Sequence, residues 1–292
     1  MNFIEQLKYR YKNGNTLFRL IYINVGVFLV VALFSIFFQL FKINVVDLTK
    51  WFSMPSNLSQ LVKCFWTPLT YMFYHEKFLH ILFNMLVLFW FGQLFLMYYS
   101  EKQLLSLYIL GGLSGAAFYL LGYNLIPYYE AAAYYSLLMG ASGSILAILV
   151  ASGVRAPNME MRLLLLGPVK LKWIAIATVL ISLFGLTSAN AGGEIAHLGS
   201  ALAGYLFVIS ERKGKDITLF ITKIINFFVN LFQPKPKVVR PKFHAQKMSS
   251  EEYNQKKAND EKEIDRILDK IKTSGYESLT AEEKKLLFDQ KR

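Results

Sequence analysis

Six apolar segments constrain this chain more than any other feature: residues 20–41, 74–98, 104–123, 137–154, 171–186 and 195–210. A hydrocarbon core offers backbone N–H and C=O groups no water, so segments crossing it must satisfy those groups internally, as helices. At about 1.5 Å of rise per residue, a core of about 30 Å takes roughly 20 residues. The fourth, fifth and sixth segments fall short of that length and predict a bilayer thinned locally by the protein. With 54% hydrophobic and only 18% charged residues, the chain is too apolar, and its apolar residues too clustered, for a soluble core. The expectation is an all-α membrane protein with six transmembrane helices.

Charge sets the orientation and narrows the partners. The formal net charge is +12, which could suggest nucleic acid, but its distribution argues for lipid. Residues 211–243 hold eight basic and two acidic side chains, whereas 244–292 hold eleven of each. A basic stretch directly after a span faces anionic headgroups, so a lipid bilayer is expected as partner and nucleic acid is not. By the positive-inside rule the N-terminus (Lys8, Arg10, Lys12, Arg19), the 155–172 loop (Arg155, Arg162, Lys170, Lys172 against Glu160) and the tail are cytoplasmic. The loops near 123–136 and 187–194 carry Glu130 and Glu194 without Lys or Arg, and so lie outside. Six spans with both termini inside satisfy these assignments. The first apolar run has no small-residue cleavage site after it and is expected to stay as a span. Cys64 is the only cysteine, which excludes an intrachain disulfide and a cysteine-based metal site.

Four regions are expected: a cytoplasmic segment 1–16, a six-span domain 17–212, an interfacial helix with a basic linker over 213–243, and a small helical tail over 244–292. The long outer loop near 42–73, with Trp51, Phe52, Phe65 and Trp66, predicts interfacial amphipathic pieces. Residues 217–232 place Phe220, Ile221, Ile224, Phe227, Phe228 and Leu231 at helical spacing, interrupted by Thr222, Lys223, Asn226 and Asn230. That pattern suits an amphipathic helix lying on the inner face better than a seventh span. A Pro/Lys linker, 233–242, leads to a tail in which Ser249 with Glu252 and Thr280 with Glu283 match the capping-box pattern. The tail reads as two short helices around Gly275.

Polar and ionisable side chains inside spans are costly and mark functional sites. With the N-terminus inside, the second, fourth and sixth spans all enter from outside. His80 and Asn84 of the second, Ser142 of the fourth and His197 of the sixth then fall at similar depth, roughly 5–15 Å below the outer surface at helical rise. A serine beside a histidine suits nucleophilic acyl transfer: Ser142 as nucleophile, His197 as base and then acid. The Ser142 N–H with the Asn84 and His80 side chains would hold the oxyanion. Gly140 and Gly143 flank the serine and let a substrate backbone come close. Taken one at a time, these residues have plainer uses: small residues pack membrane helices and Asn joins them. Gly111/Gly115 and Ser200/Gly204 are read as such packing pairs. His75 and His80 stand five apart, about 140° around a helix, and so miss the i, i+4 spacing of a zinc protease. No metal or cofactor is expected. Glu194 is taken as a solvated loop charge beside a Ser–His dyad.

At these residues the chain resembles the rhomboid intramembrane serine proteases over roughly 15–212. The likeness rests on His80-Ile81-Leu82-Phe83-Asn84, on Gly140-Ala141-Ser142-Gly143 and on Ala196-His197. Trp66, His75 and Gly92 also fall where members of that family carry Trp, His and Gly. The resemblance implies a six-helix bundle around a water-filled cavity open to the outside. It implies a catalytic pair Ser142 and His197, an oxyanion site at Asn84 and His80, and helix-packing support from Gly199 and Gly204. Single-span membrane proteins would be the substrates, and a bacterial inner membrane the location. Four positions depart from the family pattern: Thr67 follows Trp66 in place of Arg, Leu146 replaces an aromatic residue after the serine, Ser200 replaces a glycine, and Leu96 replaces an acidic residue. Ser200 is expected to loosen the helix seam. A silent rhomboid-like binding protein or chaperone is the alternative, and a transporter using His80 and His197 as proton relays is a further one.

Overall fold

The computed structural model describes residues 14–43, 48–163, 167–232 and 249–289. Lys8, Arg10 and Lys12, and the linker at 233–242, lie outside the described residues. The chain divides into two units, 1–233 and 234–292.

The larger unit is helical. Among the described residues, four helices are long and apolar enough to cross a membrane: α1 (Thr16–Leu40), α2 (Phe78–Leu96), α3 (Glu101–Leu125) and, later in the chain, α6 (Ala191–Arg212). Between α3 and α6 lie two shorter apolar helices of 14 residues each, α4 (Ser142–Arg155) and α5 (Leu171–Phe184). At about 1.5 Å per residue each is about 21 Å long, well short of a hydrocarbon core. The expected fourth segment began at 137, but its first residues are not helical. Leu137–Leu138 form a strand, β2, paired antiparallel with Met54–Pro55, β1. The reason is packing: every α4 residue from Gly143 to Gly153 is buried. Non-helical backbone at membrane depth is tolerated where protein covers it. The sixth segment, by contrast, is longer than its apolar run, because the helix starts four residues earlier at Ala191.

α6 packs chiefly on α3 and α4, and α3 on α4, so these three helices form the centre. Small residues let them approach. A side chain at Gly111 would overlap Ala147, one at Gly199 would strike Phe118, and one at Gly204 would overlap the Ala147 carbonyl oxygen. Ser200 corrects the expectation of a loosened seam. It is fully buried, and its Oγ reaches the carbonyls of Gly111 and Ala196, each at 2.9 Å. A hydroxyl that donates across the seam joins α6 to α3 rather than parting them. α1 is peripheral: only Leu17, Leu20 and Asn24 of it are buried, and Asn24 Nδ2 donates to Tyr108 Oη at 3.2 Å.

The outer loop holds short helices at Leu48–Phe52, Leu58–Lys63 and Thr67–Thr70. It is fastened inward by Tyr71, whose hydroxyl donates to the Gly112 carbonyl at 2.6 Å. Thr67, in the position of the expected arginine, is buried and donates to the Cys64 carbonyl at 2.7 Å. The 155–172 connection, expected to be a loop, contains a hairpin, β3 (Glu160–Leu163) with β4 (Gly167–Lys170). α7 (Leu219–Phe232) follows, with Ile221 buried, Phe220, Phe227 and Phe228 exposed, and Thr222 Oγ1 2.8 Å from Ser106 Oγ of α3.

The smaller unit contains α8 (Ser250–Ser274) and α9 (Ala281–Asp289). Both start with reciprocal caps: Ser249 with Glu252, and Thr280 with Glu283. Their chemistry follows the sequence pattern, but α8 has 25 residues and is not short. Lys270 Nζ donates to both Glu283 oxygens at 3.0 and 2.9 Å, over a fully buried Ile267.

Candidate active site

Ser142 is the first residue of α4, not a residue one turn into it. The stretch before it is held from three sides. β1 pairs with β2, the Gly140 N–H donates to the Tyr71 carbonyl at 2.9 Å, and the Ala141 N–H donates to His75 Nε2 at 3.3 Å. Gly140 has φ +106°, a left-handed conformation that a side chain resists. A Cβ there would also lie 2.7 Å from the His80 ring. The chain therefore turns sharply against His80 and enters the helix at Ser142. The first N–H groups of a helix have no partner within it, so those at Ser142 and Gly143 are free to meet an anion.

The central contact is between α4 and α6. Ser142 Oγ lies 2.8 Å from His197 Nε2. For the hydroxyl to donate, Nε2 must be unprotonated, which puts the imidazole proton on Nδ1. Nδ1 has two acceptors within reach, Glu194 Oε2 and Ser182 Oγ, each at 3.2 Å. The three helices α4, α5 and α6 thus meet at one imidazole.

Glu194 overturns its reading as a solvated loop charge. It lies in the first turn of α6, its side chain is 16% exposed, and Asn190 Nδ2 donates to its other oxygen at 3.3 Å. The apolar run begins at residue 195, and a helix starting there would leave Glu194 in the preceding loop. A start at Ala191 puts 194 and 197 on one face, at i, i+3. Ser182, in the last turn of α5, carried no sequence signal.

Ser142, His197, Asn84, Ser182 and Glu194 share the wall of a cavity of about 260 Å³, with Phe83 and Leu146 among its apolar lining. Ser142, His197 and Asn84 are thus brought together as expected candidates. His80 is not in that wall; it lines an adjacent recess of about 220 Å³ with Glu76, Lys77 and Gly193. Gly143 is buried against Ser200, and Gly199 and Gly204 lie at the helix seams already described. Among the described residues no group of three His, Cys, Asp or Glu side chains converges to hold a metal ion.

His75 has a larger part than its family position suggested. Its Nε2 accepts from Asn84 Nδ2 at 3.0 Å as well as from the Ala141 N–H, and its Nδ1 donates to the Phe73 carbonyl at 3.3 Å. It lies before α2, outside the spanning helices, and is 2% exposed. Burial, helped by the neighbouring His80, pushes its pKa down from 6.5 to about 4, against the Phe73 carbonyl that raises it. Unfolded His75 takes a proton near pH 6.5, and folded His75 resists until about pH 4. Stability is therefore full above pH 6.5 and declines as the pH falls toward 4, by about 2–3 kcal/mol from this group. Thermal unfolding in detergent at pH 7 and pH 4.5 should show that decline, and His75→Gln should reduce it. An equal decline in both proteins would remove His75 as its source.

A family model described as "Rhomboid domain" matches residues 63–213. A second, described as "Family of unknown function (DUF6576)", matches 250–289. The first covers α2 through α6 and leaves α1 outside; the second covers α8 and α9. No curated protein matches the chain.

Proposed function

The chain belongs to the rhomboid family, and on that premise we propose that it is an intramembrane serine endopeptidase, one of the active members of a family that also holds inactive homologues. The observation that carries this reading is the 2.8 Å approach of Ser142 Oγ to His197 Nε2 in the wall of a cavity between α2, α4, α5 and α6. In the first step Oγ bonds to a peptide carbonyl carbon as His197 Nε2 takes the hydroxyl proton. The carbonyl oxygen becomes an oxyanion facing the free N–H groups that open α4 and the Asn84 amide. One such donor is typically worth about 2.7–4 kcal/mol in the transition state. Collapse of the tetrahedral adduct breaks the C–N bond, and His197 returns the proton to the leaving amine. Water then attacks the acyl-serine, with His197 again as base.

The finer expectations belong to the same proposal. α4 and α5, short as they are, complete six spans with both termini cytoplasmic in a bacterial inner membrane. Residues 17–212 form the protease domain, 213–243 an interfacial helix and linker, and 244–292 a cytosolic tail. Substrates are single-span proteins cut near the outer end of their helix. A helical substrate hides its carbonyls in i→i−4 bonds, so a locally weak helix is required.

The test is proteolysis in liposomes of a single-span reporter whose outer helix end carries Gly and Pro. A product whose mass places the cut near the outer membrane edge is expected. Reporter that is bound but never cut would assign the chain to the inactive homologues, as a binding protein or chaperone. Histidine-dependent solute flux without cleavage would favour the transporter.

A further inference from the structure

We infer that Glu194 is a positioning residue for the reaction, the acid of a Ser142–His197–Glu194 array in which its carboxylate fixes the imidazole and balances the charge it gains. The inference rests on the protease reading. When Ser142 donates to Nε2, the Nδ1–H needs an acceptor, and when Nε2 takes the serine proton the ring becomes a cation. Ser182 Oγ and Glu194 Oε2 are equally near at 3.2 Å. They are not equivalent. A hydroxyl offers the imidazolium only a dipole, whereas a carboxylate offers an opposite charge and the stronger, charge-assisted hydrogen bond.

Three features hold Glu194 to this task. The i, i+3 spacing on α6 makes the pair part of one helix face, so no loop has to order for it to form. The side chain packs at the end of α5, where a Cβ on Gly185 would come within 2.8 Å of Glu194 Cγ. The Asn190 amide occupies Oε1, which leaves Oε2 for the histidine. Both neighbours are donors, and the first turn of a helix favours negative charge, so the arrangement suits the carboxylate form. With exposures of 20% for the His197 side chain and 16% for that of Glu194, the pair is partly withdrawn from water, where its attraction is less screened.

The test uses the full chain in proteoliposomes, with turnover expressed per Ser142 titrated by a fluorophosphonate, so that misfolded protein is not counted. Glu194→Gln keeps the shape and removes the charge. It should lower kcat by about 10²–10³-fold with KM within about threefold, less than the ~10⁴ lost from a buried triad acid because Ser182 remains as acceptor. Glu194→Ala opens a space, and added formate should restore at least about tenfold of its lost rate, whereas Glu194→Gln should not respond. Turnover of Glu194→Gln within about threefold of wild type overturns the inference. So does a Glu194→Ala defect that formate leaves unchanged, since a purely structural role predicts that result. If the wild type itself does not cleave, the protease reading fails, and this inference falls with it.

Discussion

Ser142→Ala and His197→Ala should each lower reporter cleavage by about 10⁴–10⁶-fold, and the double substitution should cost no more than either alone. The two side chains make one device: the serine is a weak nucleophile until Nε2, 2.8 Å away, takes its proton. Removing either leaves only the oxyanion donors and the binding cavity, and these act without a nucleophile. Non-additivity separates this account from independent contributions, under which the two losses would multiply. Reporter affinity should change by less than about threefold, because the hydroxyl and the ring are small parts of the wall presented to a helix. Fluorophosphonate labelling should vanish in Ser142→Ala. Cleavage by either single variant at a tenth of the wild-type rate, or losses that multiply in the double variant, would mean that a different group attacks the peptide.

What the sequence showed, and what it hid, divides along physical lines. Apolar run length marks where helices must be, and it located α1, α2 and α3 to within a few residues of their ends. It failed at α4 and α6 for opposite reasons. Leu137 and Leu138 are as apolar as a helix needs, yet they pair with Met54 and Pro55 because the outer loop folds back over them. Such a long-range partner has no local signature. Ala191–Glu194 is Gly-rich and carries a charge, so hydropathy ended the span at 195 although the helix continues to Ala191. That one boundary concealed the neighbour of His197. Ser142 and His197 could be read because each is costly at membrane depth and charge had already fixed the orientation. His75 and Ser182 could not, since their roles depend on which lone pair faces which N–H. Size alone makes Ser200 a looser fit than glycine, but its hydroxyl meets the Gly111 carbonyl.

The largest loss of stability is expected at Gly204. A Cβ there would overlap the Ala147 carbonyl oxygen, with the Ala147 carbonyl carbon 2.9 Å away. The obstacle is backbone on a neighbouring helix, so no rotamer change relieves it, and α4 and α6 must part. Overpacking of a tight core costs about 1–3 kcal/mol where side chains can adjust. Gly204→Val, with two further methyl groups and a rigid obstacle, should lie at or above the upper end. Function should suffer more than stability alone predicts. Ser142 opens α4 and His197 lies two turns before Gly204 on α6, so parting those helices lengthens the contact between them. A displacement of about 1 Å at such a pair costs about 10²-fold in rate. Gly26 of α1 is the control: a Cβ there meets nothing within 4 Å, so Gly26→Ala should leave both unfolding temperature and turnover unchanged or slightly raised. Unfolding temperature in detergent and turnover per titrated serine measure the two effects separately. A Gly204→Val protein as stable and as fast as wild type would show that the α4–α6 approach is not what holds the nucleophile against its base.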